Sequence, residues 1–235
     1  MPAPALDVRD VTRTLHLGDT PVPVLHGVSF SVVPEEWVAV TGPSGSGKST
    51  LLGIVAGLDA PTTGSVTIDG VDVSSRSERE LARIRNEKVG VVFQSFNLIP
   101  SLTALENVAA PLHVGPWRKT AAVRARAMLG RVGLADRLDH RPHQLSGGQQ
   151  QRVAVARALV TEPAVVVADE PTGNLDAATS ADVLDLFAEL RRDLGLTLLV
   201  VTHDPDVAAR ADRVIDLVDG RVATDTRRAD AEVPT

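Results

Sequence analysis

A short apolar run, Val38-Ala39-Val40, leads into Gly42-Pro43-Ser44-Gly45-Ser46-Gly47-Lys48-Ser49, and the residues that follow, through Gly57, read as a helix ended by glycine. The pattern GxxxxGK[ST] has physical meaning only where a buried strand feeds it and a helix leaves it, and both conditions are met here. Its glycines let backbone amides turn toward phosphates, and the helix start adds a positive dipole. Lys48 is suited to neutralise β- and γ-phosphates, and the Ser49 hydroxyl to ligate Mg²⁺, with Thr50 beside it in the first turn. A chain that carries this loop is constrained to an α/β fold with the loop at the carboxyl end of a strand.

The rest of the chain is consistent with that constraint. Residues 6–11 and 24–32 read as strands. Residues 64–70 and 71–73 read as a hairpin pair turning at Asp69-Gly70, and residues 89–93 as a further strand. Between residues 100 and 144 the pattern becomes helical, notably over 102–110 and 120–132, as expected of an inserted helical lobe. Alternation then returns, with helices over 147–159 and 177–194 and strands over 165–168, 196–202 and 214–218. Strands separated by helices imply a mostly parallel sheet. The expected fold is an α/β phosphate-loop core with an N-terminal antiparallel β subdomain and an inserted helical subdomain. It forms one domain over residues 1–225, with the insertion at about 98–160 and a polar tail over 226–235.

Two further stretches carry chemistry. The buried run Val165-Val166-Val167-Ala168 ends in Asp169 and Glu170. Such a pair is often no more than a helix cap. Beside a phosphate loop, Asp169 is suited to the Mg²⁺ shell and Glu170 to orienting or deprotonating an attacking water. Leu145-Ser146-Gly147-Gly148-Gln149 reads as a capped helix start whose first turn has no side chains to obstruct an anion. On Ser-Gly-Gly alone it is an ordinary cap; the full pentapeptide followed by Gln151-Arg152 is more specific.

In order along the chain, these motifs resemble the nucleotide-binding subunit of an ATP-binding cassette (ABC) transporter, over about residues 6–222. Three more positions extend the likeness: Gln94 is similar to the Q-loop glutamine, Asn174-Leu175-Asp176 to the D-loop, and His203, after Leu199-Val200-Val201-Thr202, to the switch histidine. The resemblance implies a head-to-tail dimer closed on two MgATP, in which Ser146, Gly147, Gly148 and Gln149 complete the γ-phosphate site of the other copy, with Asp176 nearby. It implies that Glu170 is the base, that His203 contacts the γ-phosphate, and that Gln94 touches Mg²⁺ and water and reports their state to a membrane permease. The stretch from Gln94 to Val108 looks most like the lipoprotein-releasing and macrolide-exporter branch, whose permeases work by efflux or by transmitting movement.

The family often has a tyrosine near the first strand to stack on adenine. This chain has no tyrosine, and the alignment puts Leu15 at that place, either as a weaker adenine contact or as strand core, with His16 a poorer stacker. Glu35 stands where a glycine usually precedes Glu36. The histidines at 16, 26, 113, 140 and 143 lack the spaced partners of a metal site. Trp37 and Trp117 read as packing or surface anchors.

Composition narrows the alternatives. A net charge of −6 argues against a broad phosphate-backbone footprint, so no nucleic-acid partner is expected. Zero cysteines exclude thiolate chemistry, and with it the zinc-bearing DNA-repair relatives, whose long coiled insertions are also missing; the tandem cassettes of translation factors are missing too. A clamp that binds ATP without turnover is disfavoured by the presence of both Glu170 and His203. No apolar run approaches the roughly 20 residues that span a bilayer. The protein is therefore expected on the cytoplasmic face of the membrane, held there by its permease.

Overall fold

The structure, a computed structural model, describes residues 3–228. Along the chain it has strands β1 (Leu6–Leu17), β2 (Thr20–Val32) and β3 (Trp37–Thr41), helix α1 (Lys48–Val55), and strands β4 (Thr63–Ile68) and β5 (Val71–Asp72). Helix α2 (Glu78–Lys88), strand β6 (Val89–Val92) and helices α3 (Ala104–Ala109), α4 (Ala121–Arg131) and α5 (Gly147–Leu159) follow. Then come β7 (Val165–Asp169), α6 (Ala177–Leu194), β8 (Leu198–Val201), α7 (Pro205–Ala208), β9 (Arg213–Val218) and β10 (Arg221–Arg227). The chain forms two compact units, one from the segments up to Ser75 and from Thr197 onward, the other from Arg76–Leu196.

In the first unit β2, β1, β4 and β5 form an antiparallel sheet in that order. Its alternating burial, with Leu6, Val8 and Val11 inward on β1, is the mark of a sheet with one face packed. Beside it run β10, β9, β3 and β8, of which β3 is parallel to both neighbours and only β10 is antiparallel. Trp37, Val38, Ala39 and Val40 are all buried, as a strand covered on both faces requires. In the second unit β6 and β7 are parallel, Val89 opposite Val165 and Val92 opposite Ala168; α2 and α5 pack on β6, and α3, α4 and α6 pack on α5. The α/β class, the antiparallel β subdomain and the mostly parallel strands are thus as the sequence suggests.

Several elements differ from the sequence reading. Helix α2 buries a single residue, Ile84, so it has no apolar stripe; a capping box between Ser77 and Glu80 starts it. Strand β10 extends through Thr226 and Arg227, the first two residues of the expected tail, because Arg213 on β9 holds Asp225 by two hydrogen bonds of 2.5 and 2.6 Å. Residues 229–235 of that tail lie outside the described residues. Strands β1 and β2 also run further than expected, pairing Leu15 with Val22 and Leu17 with Thr20.

Trp37 is core, 2% exposed, whereas Trp117 is half-buried under the guanidinium of Arg124 at 5.8 Å. Glu35 has φ 65, the left-handed conformation that favours glycine, and its amide donates to Thr197 Oγ1 at 3.1 Å. The turn there is kept, at the cost of strain in a residue with a Cβ.

Candidate functional site

In the first unit the phosphate loop lies where β3 ends. Gly47, φ 98, is the N-cap of α1 and carries no side chain over the helix start. Lys48 Nζ donates to the carbonyls of Gly42 at 2.7 Å and Pro43 at 2.8 Å, so the ammonium is held within its own loop. Ser46 is 3% exposed, and its hydroxyl has no hydrogen-bond partner among the described residues. A buried, unpaired donor in a glycine loop at a helix start is what a phosphate oxygen would satisfy, so these residues fit a nucleotide. Pro43, Ser44, Gly45 and Ser49 are exposed, and Gly42 and Thr50 are half-buried.

His203 is set by the same pair of strands. Val40 on β3 lies opposite Val201 on β8, so the phosphate loop and His203 both emerge at the carboxyl edge of two parallel neighbours, the edge at which α/β sheets bind ligands. Thr202 is fully buried, and its hydroxyl accepts from the Asp204 amide at 2.9 Å. Asp204 in turn caps α7. The residue between them, His203, is exposed. Leu15 is 38% exposed on β1, which excludes the strand-core reading; His16 is exposed as well.

The second unit holds the remaining candidates. Gln94 lies just past β6, Asp169 ends β7 and Glu170 follows it; the pairing of Val92 with Ala168 places all three at one edge of the parallel pair. Glu170 has φ 44 and turns the chain away from the strand, the turn closed by Gly173 donating to the Glu170 carbonyl at 3.0 Å. Asn174 and Gln94 are joined by two hydrogen bonds. Asp176 caps α6, accepting from the Thr179 amide at 3.0 Å and the Thr179 hydroxyl at 2.7 Å, and these bonds hold its carboxyl below its ordinary pKa.

Ser146 caps α5 in a reciprocal box: the Gln149 amide donates to Ser146 Oγ at 3.3 Å, and the Ser146 amide to Gln149 Oε1 at 3.0 Å. Gly148 is buried, and a Cβ there would overlap the Thr179 methyl on α6, while a Cβ on Gly147 would lie 3.3 Å from Leu175. The first turn of α5 therefore packs directly on Leu175 and on Thr179 in the first turn of α6.

Two supporting residues give little warning in the sequence. Gln151 is fully buried and donates to the Pro171 carbonyl at 2.5 Å, tying α5 to the turn after Glu170. Arg157 donates to the Asn97 carbonyl at 2.6 Å and the Phe96 carbonyl at 2.9 Å, fixing two left-handed residues just past Gln94. Burial lowers its pKa. Their only sign in the sequence is a polar residue in a helix whose apolar residues are buried nearly all round. Among the described residues no three or more of His, Cys, Asp and Glu gather as a metal site. Mg²⁺ bound through one or two carboxylates and substrate phosphates needs no such cluster.

The sequence profile of ABC transporters matches residues 25–173. The chain belongs to the ABC transporter family. It is 50% identical over 221 residues to the lipoprotein-releasing system ATP-binding protein LolD of Geobacter metallireducens, covering 94% of this chain and 98% of that one. It is 47% identical over 233 residues to the macrolide export ATP-binding/permease protein MacB of Brucella melitensis, covering 99% of this chain but 36% of that longer protein. Among solved structures it is similar to a dimeric ATP-binding cassette, MJ0796, in a post-hydrolysis state bound to ADP and Pi, with TM-score 0.86 and 42% identity over 96% of this chain and 100% of that one. The ABC protein described here is thus an ATP-binding, ATP-hydrolysing transporter subunit of the lipoprotein-releasing and macrolide-export branch.

Proposed function

We propose that two copies of this ABC subunit close head to tail on two ATP molecules, each site built from the phosphate loop of one copy and the Ser146 helix start of the other, and that the closure drives a membrane permease. The observation that carries this reading is the presence of two anion-receptive helix starts, α1 behind Gly47 and α5 behind Ser146, in a chain of one cassette. A single phosphate loop leaves the second without a task inside its own copy. The dimeric state of the similar cassette supports the same reading.

Within such a site the residues divide the work. Lys48, the hydroxyl of Ser46 and the amides of α1 hold the β- and γ-phosphates. Mg²⁺ held by Ser49, Gln94 and Asp169 would supply charge neutralisation at the phosphate oxygens. Glu170 takes the proton of the attacking water, His203 contacts the γ-phosphate and keeps the water aligned, and Ser146 with Gly147, Gly148 and Gln149 closes the far side of the phosphate. Asp176, at the neighbouring cap, belongs to the same face. Leu15 lies against adenine.

A groove of about 300 Å³ in the second unit, walled by Asn86, Phe93, Asn97, Pro111 and Arg157, borders the segment that carries Gln94 and suits a protruding permease segment. No helix among the described residues is long and apolar enough to cross a membrane; the proposed permease holds the subunit at the cytoplasmic face. No nucleic-acid role is proposed. The role of Glu170 is tested by Glu170→Gln: ATP turnover is abolished and an ATP-bound dimer accumulates on size-exclusion chromatography. Turnover at the parental rate would remove Glu170 as the base.

A further inference from the structure

The turn between β9 and β10 is built from Asp219, φ 47, and Gly220, φ 69, closed by the pairing of Val218 with Arg221. Two consecutive residues with positive φ make the hairpin turn that favours Asp-Gly. The same dipeptide in the same conformation closes β4 and β5: Asp69 has φ 46, Gly70 has φ 74, and Ile68 pairs with Val71. The two turns differ in their surroundings. A Cβ on Gly70 would meet nothing within 4 Å, whereas a Cβ on Gly220 would overlap the Val24 carbonyl and lie 2.8 Å from His26 Cδ2.

Gly220 is crowded by Val24 and His26 of β2, and it also touches the phosphate loop. Its amide donates to the Ser46 carbonyl at 3.1 Å, and its carbonyl accepts from the His26 amide at 2.9 Å. Around it the backbone of 24–26 and 217–220 forms a collar. A Cβ on Gly42 would overlap the Leu217 carbonyl, and one on Gly47 would lie 3.1 Å from the Val24 carbonyl and 2.8 Å from Leu25. The start of the loop at Gly42 and its end at Ser46 and Gly47 thus rest on these two segments.

The bond to Ser46 has a directional consequence. A trans peptide is planar, with its C=O and N–H pointing in opposite directions. Fixing the Ser46 carbonyl toward Gly220 therefore fixes the Gly47 N–H away from the turn. We infer that Gly220 is a positioning residue of the nucleotide site: by holding the Ser46–Gly47 peptide in one orientation, it presents the Gly47 amide to the phosphates, and a Cβ there, overlapping the Val24 carbonyl, would push the turn out of register with Ser46. The inference rests on the phosphate loop being the nucleotide site and adds to it a residue far along the chain.

Gly70→Ala and Gly220→Ala both put an alanine in the same strained turn, so Gly70→Ala reports the cost of strain alone. Thermal melts and ATP titration by calorimetry on both variants and the parent separate strain from positioning. Gly70→Ala lowers the melting temperature and leaves the Kd for ATP within about twofold of the parent, while Gly220→Ala raises that Kd by about tenfold or more. Equal Kd values in the two variants would overturn the inference; a parent that binds no ATP would instead remove the phosphate-loop reading. Hydrogen exchange on the unmutated protein decides the matter even where Gly220→Ala fails to fold. On adding ADP the peptide spanning 217–223 gains protection and the peptide around Asp69 and Gly70 does not, and no gain at 217–223 would likewise overturn the inference.

Discussion

Gln94 and Asn174 hold each other reciprocally: Gln94 Nε2 donates to Asn174 Oδ1 at 3.3 Å, and Asn174 Nδ2 donates to the Gln94 carbonyl at 3.0 Å. The pair links the segment after β6 to the segment before α6, whose next residues pack on the first turn of α5. Asn174→Ala leaves Gln94 without its anchor while touching none of the residues assigned to phosphate. The expected result is a fall in kcat of about tenfold with KM for ATP nearly unchanged, read in a steady-state ATPase assay. A change in KM alone would mean that the pair serves binding instead.

Leu15 offers adenine an aliphatic face, 38% exposed, on a strand that places it opposite Val22. Stacking of a base on an aromatic ring contributes about 1–3 kcal/mol in single-stranded nucleic-acid sites. Leu15→Tyr is expected to tighten ATP binding by about tenfold, near the low end of that range. An unchanged Kd would detach Leu15 from the base.

The Arg213 guanidinium bonded to Asp225 holds that carboxyl below its ordinary pKa of 3.8, and it raises the pKa of Arg213 in return. A depressed folded pKa means stability that is present above the ordinary aspartate range and lost as pH falls through the lowered folded value. The stability difference between the parent and Asp225→Asn is therefore full at neutral pH and shrinks below about pH 4. Chemical denaturation at a series of pH values reads it; a pH-independent difference would contradict the ion pair. Arg213→Ala is more severe, at about 3 kcal/mol, because it removes two charged hydrogen bonds to Asp225 and one to the Ser31 carbonyl, while Glu36 keeps Arg227 3.3 Å away.

Glu35 occupies a left-handed turn position in a residue with a Cβ. Glu35→Gly keeps the backbone donor to Thr197 and relieves the strain. Its melting temperature is expected to rise, with a gain of up to about 1 kcal/mol. A fall in melting temperature would show that the side chain does more for the turn than its strain costs.

The parts of this fold that the sequence discloses are those where one local rule dominates. Buried parallel strands are apolar runs, so β3 and β7 stand out, and the chemistry at their ends is readable in Gly42 to Ser49 and in Asp169 and Glu170. The hairpin at Asp69 and Gly70 is legible because two positive φ values demand that dipeptide. Asp219 and Gly220 carry the same dipeptide, yet the strand after them is almost wholly exposed, so alternation gives no sign of β10. Helix α2, with Ile84 alone buried, is likewise silent to periodicity, and only Ser77 and Glu80 mark its start. Contacts made at long separation, such as Gln151 to Pro171, Arg157 to Phe96 and Gly220 to Ser46, do not disclose their partners locally. They are the contacts that steady the candidate site.

The composite site is tested most directly by mixing two inactive subunits, Lys48→Ala and Ser146→Arg, in equal amounts and measuring ATP hydrolysis. Neither alone can form a working site. A head-to-tail mixed dimer pairs the intact phosphate loop of one copy with the intact Ser146 helix start of the other, so random pairing restores about a quarter of the parental rate. Activity that stays at the sum of the two separate variants at every mixing ratio would contradict the shared site.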